Sequence, residues 1–238
     1  MTDRLYGDLA QWWPLLSPPE HQAPAAAALL QMAPGTASLL DLGSGSGALI
    51  SHLPDSIEAV LVDRSADMLA VSAKLNPNRR HVQADLCTLD LGRTFDLVLL
   101  HDAVMYLPDD GALDRALAVA SRHLGPGGRL VVVPDVLADD FDETVVTGTG
   151  ESPDGRRVVL TEWHWDPVPG DGRTTVEMSL LIKVPGQPVV AVHETHTLLL
   201  ISHADLWQAI RSAGLTPVAA DPLAAMALGQ PFVAEKPR

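Results

Sequence analysis

The fold of this chain is set at residues 39–47, which read LLDLGSGSG. An apolar run typical of a buried strand leads there into a glycine-rich turn, and we expect the turn to open a helix. Glycines suit such a turn because the backbone must bend tightly and leave room for a ligand at the start of the helix. Asp63 closes the second predicted strand, 20 residues after Gly43, where a carboxylate could bind the hydroxyls of a ribose.

The glycine-rich turn at residues 43–47, called the glycine loop below, is by itself compatible with more than one kind of site. Gly43, Gly45 and Ala48 also fit the loose dinucleotide-binding pattern G-x-G-x-x-A. A tight connection between a strand and a helix, without any ligand, would use the same glycines. Asp63 taken alone could equally be a solvated carboxylate at the end of a strand. The rest of the chain has to decide between these interpretations.

Residues 37–135 alternate short apolar runs with helical patterns, which is typical of βα units that build a parallel sheet. The predicted strands are Ser38–Leu42, Ala59–Val62, His81–Ala84, Leu97–Leu100 and Arg129–Val133. The predicted helices are 46–53, 65–75 and 109–124. Ser65 is a suitable N-cap for the second helix, with Asp67 in its first turn, and Asp109 and Asp110 begin the third. The pattern therefore predicts an α/β fold.

After Pro134 the pattern changes to β-prone stretches separated by Gly/Pro turns. Strands are predicted at Arg157–Trp165, Thr174–Val184 and Val190–Ile201. We therefore expect residues 136–202 to form an antiparallel β insertion after the fifth strand. A helix at 203–213, ending at Gly214, and two strands at Thr216–Ala220 and Pro231–Glu235 are predicted to follow. Residues 1–33 are expected to form a helical cap on a single domain that spans 1–238.

The composition excludes several classes of protein. The 238 residues carry 16 Lys and Arg against 30 Asp and Glu, a formal net charge of −14. Such a surface repels polyphosphate, and no cluster of Lys and Arg opposes the repulsion, so we expect no nucleic acid partner. Cys87 is the one cysteine, which rules out an internal disulfide and a cysteine-based zinc site. The sequence has no recognisable signal segment and no apolar run long enough for a membrane span, so we expect a cytoplasmic protein with no membrane partner.

Three further features favour one interpretation of the glycine loop over the others. Asp41 lies two residues before Gly43, at the end of the first strand, and Asp85 lies just beyond the third. Residues 124–130 read LGPGGRL and place a Gly/Pro turn before the fifth strand. With these motifs the chain resembles the class I S-adenosylmethionine-dependent methyltransferases over residues 37–135, and more loosely over the C-terminal helix and strands. The resemblance implies a Rossmann-like seven-stranded sheet, parallel except for one strand, with helices on both faces.

The resemblance also implies a set of residues that bind S-adenosylmethionine and its product, S-adenosylhomocysteine. The methionine part of the cofactor would be held by Asp41, Gly43, Gly45 and Gly47. Asp63 would bind the ribose hydroxyls, and Asp85 with Leu86 would contact the adenine. Met68 would pack on the adenine face, or else be an ordinary core methionine. Ala84 departs from the family, in which a glycine often precedes the residue equivalent to Asp85.

The acceptor would lie beyond the carboxyl ends of the strands, near the methyl group that is transferred. His101 follows the fourth strand and is the leading candidate to orient the acceptor or to act as general base, with a structural histidine as the alternative. Tyr106 and His164 complete the candidate catalytic set. Residues 162–166 read EWHWD, so in a strand Glu162 and His164 share one face. The insertion would then be a lid over the active site or, alternatively, an exposed or dimer-forming sheet.

No metal is expected in this site. His193 and His196 are three residues apart, so a strand would point them to opposite faces. Cys87 offers a single thiolate, whereas structural zinc sites use several ligands of this kind.

The general plan of the chain resembles bacterial small-molecule methyltransferases, including those that dimethylate the amino group of deoxysugars. Tyr6, Leu9 and Ala10 match the opening of those relatives, whereas Trp12 and Trp13 stand where a second tyrosine is common. The sequence therefore predicts methyl transfer to a nitrogen or oxygen atom of a small molecule by in-line displacement. The alternatives are a sensor or assembly subunit that binds the cofactor without catalysis and, further away, a nicotinamide-dinucleotide enzyme. A homodimer is among the expected assemblies.

Overall fold

Within residues 4–109 and 111–238, the part of the chain that the computed structural model describes, eleven β-strands and six α-helices are formed. The strands are β1 (Ser38–Leu42), β2 (Glu58–Asp63), β3 (Arg80–Gln83), β4 (Phe95–His101), β5 (Leu124–Val133), β6 (Thr144–Glu151), β7 (Arg157–Trp165), β8 (Arg173–Lys183), β9 (Val190–Leu199), β10 (Thr216–Pro217) and β11 (Phe232–Glu235). The helices are α1 (Trp13–Leu16), α2 (Ala23–Met32), α3 (Ala66–Leu75), α4 (Ala112–Arg122), α5 (His203–Ser212) and α6 (Pro222–Leu228). Residues 1–3 of the predicted cap and Asp110, predicted at the start of the third helix, lie outside the described residues.

Strands β1 to β5, with β10 and β11, form a seven-stranded sheet in the order β10-β11-β5-β4-β1-β2-β3. β1 lies between β2 and β4, with Leu40 opposite Val60 on one side and Val98 on the other. β11 is antiparallel to both β5 and β10, whereas the neighbours from β5 to β3 are all parallel. A sheet that is parallel except for one strand confirms the predicted fold class. The strand order reverses beside β1, which is where open α/β sheets bind their ligands.

Helices cover both faces of this sheet, as a largely parallel sheet requires. One face packs on α4 and α5 through side chains that include the fully buried Leu117 and Leu206. The other face packs on α2 and α6 through side chains that include Leu29 and Leu228. Because alternate side chains of a strand point to opposite faces, strands between two apolar cores are apolar almost throughout, as β1 and β4 are.

The helix predicted at 46–53 is wrong. After the glycine loop the chain makes turns up to a single 3₁₀ turn at Ile50–His52, and Leu53 is already extended. Gly47 has a φ of 66°, in the left-handed region that interrupts a right-handed helix. Leu53 precedes Pro54, and a residue before proline disfavours the helical conformation. The glycine loop therefore has no α-helix N-terminus behind it, and binding there has to rest on the loop backbone and the surrounding carboxylates.

Strands β6, β7, β8 and β9 form a second, antiparallel sheet in that order. Its last three strands confirm the predicted positions to within two residues at each end. β6 was not predicted, because Gly148 and Gly150 weaken its strand pattern. Gly150 is required by a close approach, since a Cβ there would lie 2.1 Å from the carbonyl oxygen of Leu15 in α1. The second sheet therefore packs directly against the described part of the predicted cap, residues 4–33, which is called the N-terminal segment below.

A third apolar core joins the N-terminal segment to the inward face of the second sheet. Leu5 and Trp12 pack there with Met105, which follows β4, and with side chains of β7, β8 and β9. Besides α1 and α2, the described part of the predicted cap contains 3₁₀ turns at Ala10–Trp12 and Pro19–Gln22. The N-terminal segment and the second sheet thus form one covering layer beside the carboxyl ends of the central strands.

Two helices flank the C-terminal strands. The helix predicted at 203–213 is α5, which begins after the N-cap Ser202 and is followed by Gly214 at a φ of 80°. α6 was not predicted; its N-cap Asp221 accepts hydrogen bonds from the backbone N–H groups of Leu223 and Ala224. Nowhere in the described residues is a helix both long enough and apolar enough to cross a membrane.

Candidate active site

A cavity of about 460 Å³ lies where the parallel strands end. One side is formed by the glycine loop and by residues at or after the ends of β2, β3, β4 and β5. The other walls come from the N-terminal segment, through Tyr6 and Trp13, and from the second sheet, through Glu162 and His164. Every predicted cofactor residue except Gly47 lines this cavity, and so do all three predicted catalytic residues. The structure therefore brings the two predicted sets together.

Asp63 organises the glycine loop. Its Oδ2 accepts a hydrogen bond from the backbone N–H of Gly45 at 2.8 Å, and its Oδ1 accepts one from the N–H of Ser65 at 2.8 Å. A carboxylate offers about four acceptor sites, so both oxygens retain a lone pair. Asp63 is therefore able to fix the loop and to bind ribose hydroxyls at the same time.

Ser65 links this loop to the N-terminal segment. Its Oγ accepts a hydrogen bond from the N–H of Met68 at 3.0 Å, as expected of the N-cap of α3, and donates one to the carbonyl of Tyr6. On the other side, the N–H of Leu5 donates to Oε1 of Glu194 in β9 at 3.0 Å. The N-terminal segment is thus held against the cavity from both the central and the second sheet.

Gly47 has a packing role in this structure. A Cβ at this position would lie 2.3 Å from the Oγ of Ser72 and 2.8 Å from the Cδ2 of Leu61. The carbonyl of Gly47 accepts a hydrogen bond from the Nδ2 of Asn76 at 3.0 Å. Because Gly47 faces α3 and β2 and does not line the cavity, a direct contact between it and the cofactor stays a prediction.

The cofactor side of the cavity has groups that fit S-adenosylmethionine. The Oγ of Ser44 is buried and has no hydrogen-bond partner among the described residues, so it is left for a polar atom of a ligand. Met68 is 2 % exposed, as a core methionine is, and it also lines the cavity, so its packing on the adenine stays a prediction. Asp85 is exposed at the rim, where its Oδ1 accepts from the N–H of Cys87 at 2.7 Å and its Oδ2 remains for a ligand donor.

Asp41 is a buried carboxyl at the end of β1. Asp41 is 4 % exposed and lines the cavity beside the glycine loop. Burial, with a smaller contribution from the negative charge of Asp63, raises the pKa of Asp41 to about 8. At neutral pH the group is therefore protonated, and a positively charged ligand would favour its ionised form.

Two tyrosines stand between the cofactor side and the second sheet. The hydroxyls of Tyr6 and Tyr106 are 2.5 Å apart, and their rings meet edge to face with centroids at 5.3 Å. Burial raises the pKa of both hydroxyls, so both are protonated near neutral pH. The ring of His196 packs at an angle against both tyrosine rings, and Oε2 of Glu194 lies 3.1 Å from its Nε2. The pair of hydroxyls can both donate and accept hydrogen bonds at the acceptor end of the cavity.

Acidic groups concentrate at the same end. Nδ1 of His101 lies 3.2 Å from Oδ2 of Asp102, and burial lowers the pKa of His101. Burial raises the pKa of Asp102, and it raises the pKa of Asp135 to about 8 with help from the charge of Asp102. Burial also raises the pKa of Glu162, against the opposing effect of His164. Among the described residues, no group of three or more His, Cys, Asp and Glu side chains is arranged to hold a metal ion, and metal independence stays a prediction.

Asp135 was not among the sequence candidates, and Glu194 was recognised only as one of the polar residues on a predicted strand of the insertion. A signal for Asp135 was present, because it follows the fifth strand just as Asp41, Asp63 and Asp85 mark the ends of the first three. Glu194 had no such signal, since its contact with Leu5 joins residues far apart in the chain.

The comparisons with known proteins give the family. Residues 40–132 match the family described as Methyltransferase domain. Over 198 residues the chain is 31% identical to dTDP-3-amino-3,6-dideoxy-alpha-D-glucopyranose N,N-dimethyltransferase of Streptomyces fradiae, an alignment that covers 82% of this chain and 72% of that protein. The chain belongs to the class I S-adenosylmethionine-dependent methyltransferase family. It is an enzyme that transfers the methyl group of S-adenosylmethionine to a small molecule.

Solved structures agree with this assignment. DesVI of Streptomyces venezuelae has the same fold, with a TM-score of 0.81, 24% identity and complete coverage of both chains. CalS10, an amino pentose methyltransferase from Micromonospora echinaspora solved with S-adenosylmethionine bound, has a TM-score of 0.74 and 25% identity, over 91% of this chain and 90% of its own. The comparisons thus favour the methyltransferase over the cofactor-binding subunit and the dinucleotide enzyme.

Binding of S-adenosylmethionine is expected to release about one proton from this methyltransferase near neutral pH. Asp41 is protonated there because its pKa is raised to about 8. The predicted contact with the cationic methionine part of the cofactor would lower that pKa on binding. Calorimetry in buffers of different ionisation enthalpy measures the proton release. The release should vanish above about pH 9, where Asp41 is already ionised, and in Asp41→Asn. An equal release from Asp41→Asn would assign it to another group.

Proposed function

We propose that this methyltransferase transfers methyl groups to the amino nitrogen of a deoxysugar. The observation that carries the proposal is its likeness, over most of its length, to an N,N-dimethyltransferase whose name gives a 3-amino-3,6-dideoxyglucose nucleotide as substrate. The same name suggests that two methyl groups are added to one nitrogen. CalS10, an amino pentose methyltransferase, supports an amino sugar as the class of acceptor.

The acceptor end of the cavity supports a polar, hydroxylated acceptor. Tyr6 and Tyr106 offer hydroxyls, and His101 and His164 offer ring nitrogens, from three different parts of the fold. Sugar hydroxyls both donate and accept hydrogen bonds, which these groups match. We assign Tyr106 and His164 to holding the sugar ring and His101 to orienting the nucleophile.

The residues of this chain act mainly by alignment. When bound, S-adenosylmethionine supplies a methyl group that is already activated by a sulfonium leaving group. Holding the nucleophile in line with that methyl group contributes about 7–11 kcal/mol to lowering the barrier. His101 has a lowered pKa, so its imidazole is neutral at pH 7 and is able to accept a hydrogen bond or a proton. An amine nitrogen attacks with its lone pair, so it needs less help from a base than a hydroxyl does.

We further infer that residues 136–202 form a lid and that the N-terminal segment is its counterpart. Glu162, His164 and Met178 of the second sheet line the cavity, and so does Tyr6 of the N-terminal segment. These walls exclude water from the reacting groups while the acceptor is bound. The homodimer and the cytoplasmic location expected from the sequence stay predictions.

The proposed function is tested by incubating the enzyme with S-adenosylmethionine and dTDP-3-amino-3,6-dideoxyglucose, followed by mass spectrometry. We expect a gain of two methyl groups on the sugar. A methyl glycoside of the same amino sugar, run in parallel, shows whether the nucleotide is required. dTDP-6-deoxyglucose, with a hydroxyl in place of the amine, is the matched control. Methylation of the hydroxyl sugar instead, or of neither amino sugar, would contradict the proposal.

His101→Ala is expected to reduce kcat by less than about tenfold with the amino sugar. The reason is that His101 orients the amine without being its essential base, whereas removal of an essential base costs about 10²–10⁴-fold. The matched control is His193→Ala, because His193 is exposed on the second sheet, outside the cavity, and pairs with Glu177 at 2.9 Å. A loss near a thousandfold in His101→Ala alone would point to a hydroxyl acceptor, and an unchanged rate would remove His101 from the mechanism.

A further inference from the structure

We propose that Asp102 and Asp135 bind the amine of the acceptor as its ammonium ion and accept the proton that this amine must lose before it attacks the methyl group. The inference rests on the proposed function, because it assigns the two carboxyl groups to an amine acceptor. It gives the enzyme a means of choosing an amine over a hydroxyl at the same place in a sugar.

The two carboxyl groups meet because they follow neighbouring strands. β4 and β5 are parallel, and His101 lies opposite Val133 at their carboxyl ends. The N–H of Asp102 donates to the carbonyl of Val133 at 2.9 Å, and Asp135 comes two residues after Val133. Both side chains line the cavity, and Asp102 is close enough for its negative charge to raise the pKa of Asp135. Two carboxyl groups in such contact hold one proton between them, so the pair carries one negative charge.

Within the described residues, the cavity walls place no fixed cation next to this pair. The one Lys or Arg side chain among the described lining residues is Arg64, which follows Asp63 on the cofactor side. His101 is 3.2 Å from Asp102, but burial lowers the pKa of its imidazole and favours the neutral form. The side chain of Asp102 is 46% exposed, and Asp102 lines the cavity. The pair is thus a negative site that opens on a ligand cavity, and a positive group on the ligand compensates it.

Asp135 has the basicity that proton transfer from an amine needs. Burial, and then the negative charge of Asp102, raises its pKa to about 8. The titratable groups that face it are Asp102, His101, Glu162, Tyr6 and Tyr106. Below this pKa the pair keeps its one proton and a single negative charge, whereas above it the pair has lost that proton and is the stronger base. A base is most effective when its pKa lies near the working pH.

Proton transfer from the ammonium ion comes first, and methyl transfer to the nitrogen follows. An N–H bond of the ammonium ion breaks, its electron pair stays on nitrogen, and the proton forms an O–H bond with the carboxyl pair. The nitrogen lone pair then forms the new N–C bond, while the electrons of the C–S bond go to sulfur. The positive charge leaves sulfur and appears on nitrogen, so the product is an N-methylammonium ion. The pair gives its proton to water before a second methyl group is added.

The test compares two sugars that differ in a single group, dTDP-3-amino-3,6-dideoxyglucose and dTDP-6-deoxyglucose. Calorimetry measures the binding of each in the presence of S-adenosylhomocysteine, so no methyl transfer is needed. The wild type is expected to prefer the amine by at least about tenfold, and Asp102→Asn and Asp135→Asn should each lose most of this preference. Asp142→Asn is the control, because Asp142 is exposed and lies outside the cavity. Unchanged binding of S-adenosylhomocysteine shows that the variants are folded.

A second measurement separates proton transfer from binding. In single turnovers at saturating substrate, the wild-type rate is expected to rise with pH and to level off at or below about pH 8, because the bound ammonium ion lowers the pKa of the pair. Asp135→Asn should be slower and lose this rise, which a merely structural role of Asp135 would not cause.

The outcomes separate the two proposals. No preference of the wild type for the amine, or a preference that survives in Asp135→Asn, overturns the inference. A preference that disappears in Asp135→Asn supports it even if the wild type fails to methylate the amino sugar, and that failure overturns the proposed function alone.

Discussion

Asp63→Ala is expected to weaken the binding of S-adenosylmethionine by about 100-fold or more. The wild-type carboxylate accepts hydrogen bonds from the backbone N–H groups of Gly45 and Ser65, both at 2.8 Å. Hydrogen bonds to a charged group contribute about 1.5–3 kcal/mol each, and the variant loses both, together with the proposed ribose contacts. Calorimetric titration of S-adenosylmethionine and S-adenosylhomocysteine measures the change.

Asp67→Ala is the matched control for this experiment. Asp67 lies in the first turn of α3, four residues after Asp63, but it is exposed and outside the cavity. Its replacement should leave the affinity within about twofold, because surface substitutions commonly change little. Equal losses in both variants would assign the effect to the general charge of this region and remove Asp63 from the binding site.

Gly47→Ala is expected to lower the free energy of unfolding by about 3 kcal/mol or more. The left-handed backbone at a φ of 66° strains any residue with a Cβ. The added Cβ would also overlap the Oγ of Ser72 and the Cδ2 of Leu61, so α3 or β2 would have to shift. Urea denaturation followed by tryptophan fluorescence measures the loss.

Gly92→Ala separates strain from overlap. Gly92 also has a positive φ, at 64°, but no atom lies within 4 Å of the position that its Cβ would take. This control should lose only about 1–2 kcal/mol, from the backbone alone. If the two variants were equally destabilised, the packing role of Gly47 would be wrong, whatever happened to cofactor affinity.

Local sequence patterns locate the strands of the central sheet and the carboxylates at their ends, although β5 already begins at Leu124, within the predicted turn, and β10 is limited to Thr216–Pro217. β1 needs no information beyond an apolar run that stops at Gly43, and Ser65 is recognisable as an N-cap because α3 begins directly after it. The same patterns fail at 46–53, where apolar spacing favours a helix but Gly47 and Pro54 prevent it. The sequence pattern does not predict β6, because the close approach of Leu15 requires a glycine, Gly150, inside this strand.

The acceptor end of the site depends on contacts between distant parts of the chain. Strand alternation correctly puts Glu162 and His164 on one face, and both line the cavity. It cannot show that this face meets Tyr6, since that contact depends on how the second sheet packs on the N-terminal segment. The Asp102–Asp135 pair likewise requires the register of β4 against β5, which no local pattern contains.

The position of β11 has a consequence for the order in which the molecule is made. β11 pairs with β5, yet residues 134–231 separate the two strands in the chain. While the ribosome adds that stretch, β5 carries an open row of backbone donors and acceptors along one side, and such an edge can pair with another chain. The finished enzyme closes it with β11 and then with the two-residue β10, whose Pro217 has no N–H to offer. Protection against aggregation is therefore completed late in synthesis, and a chain that stalls within the inserted sheet is the form most in need of a chaperone.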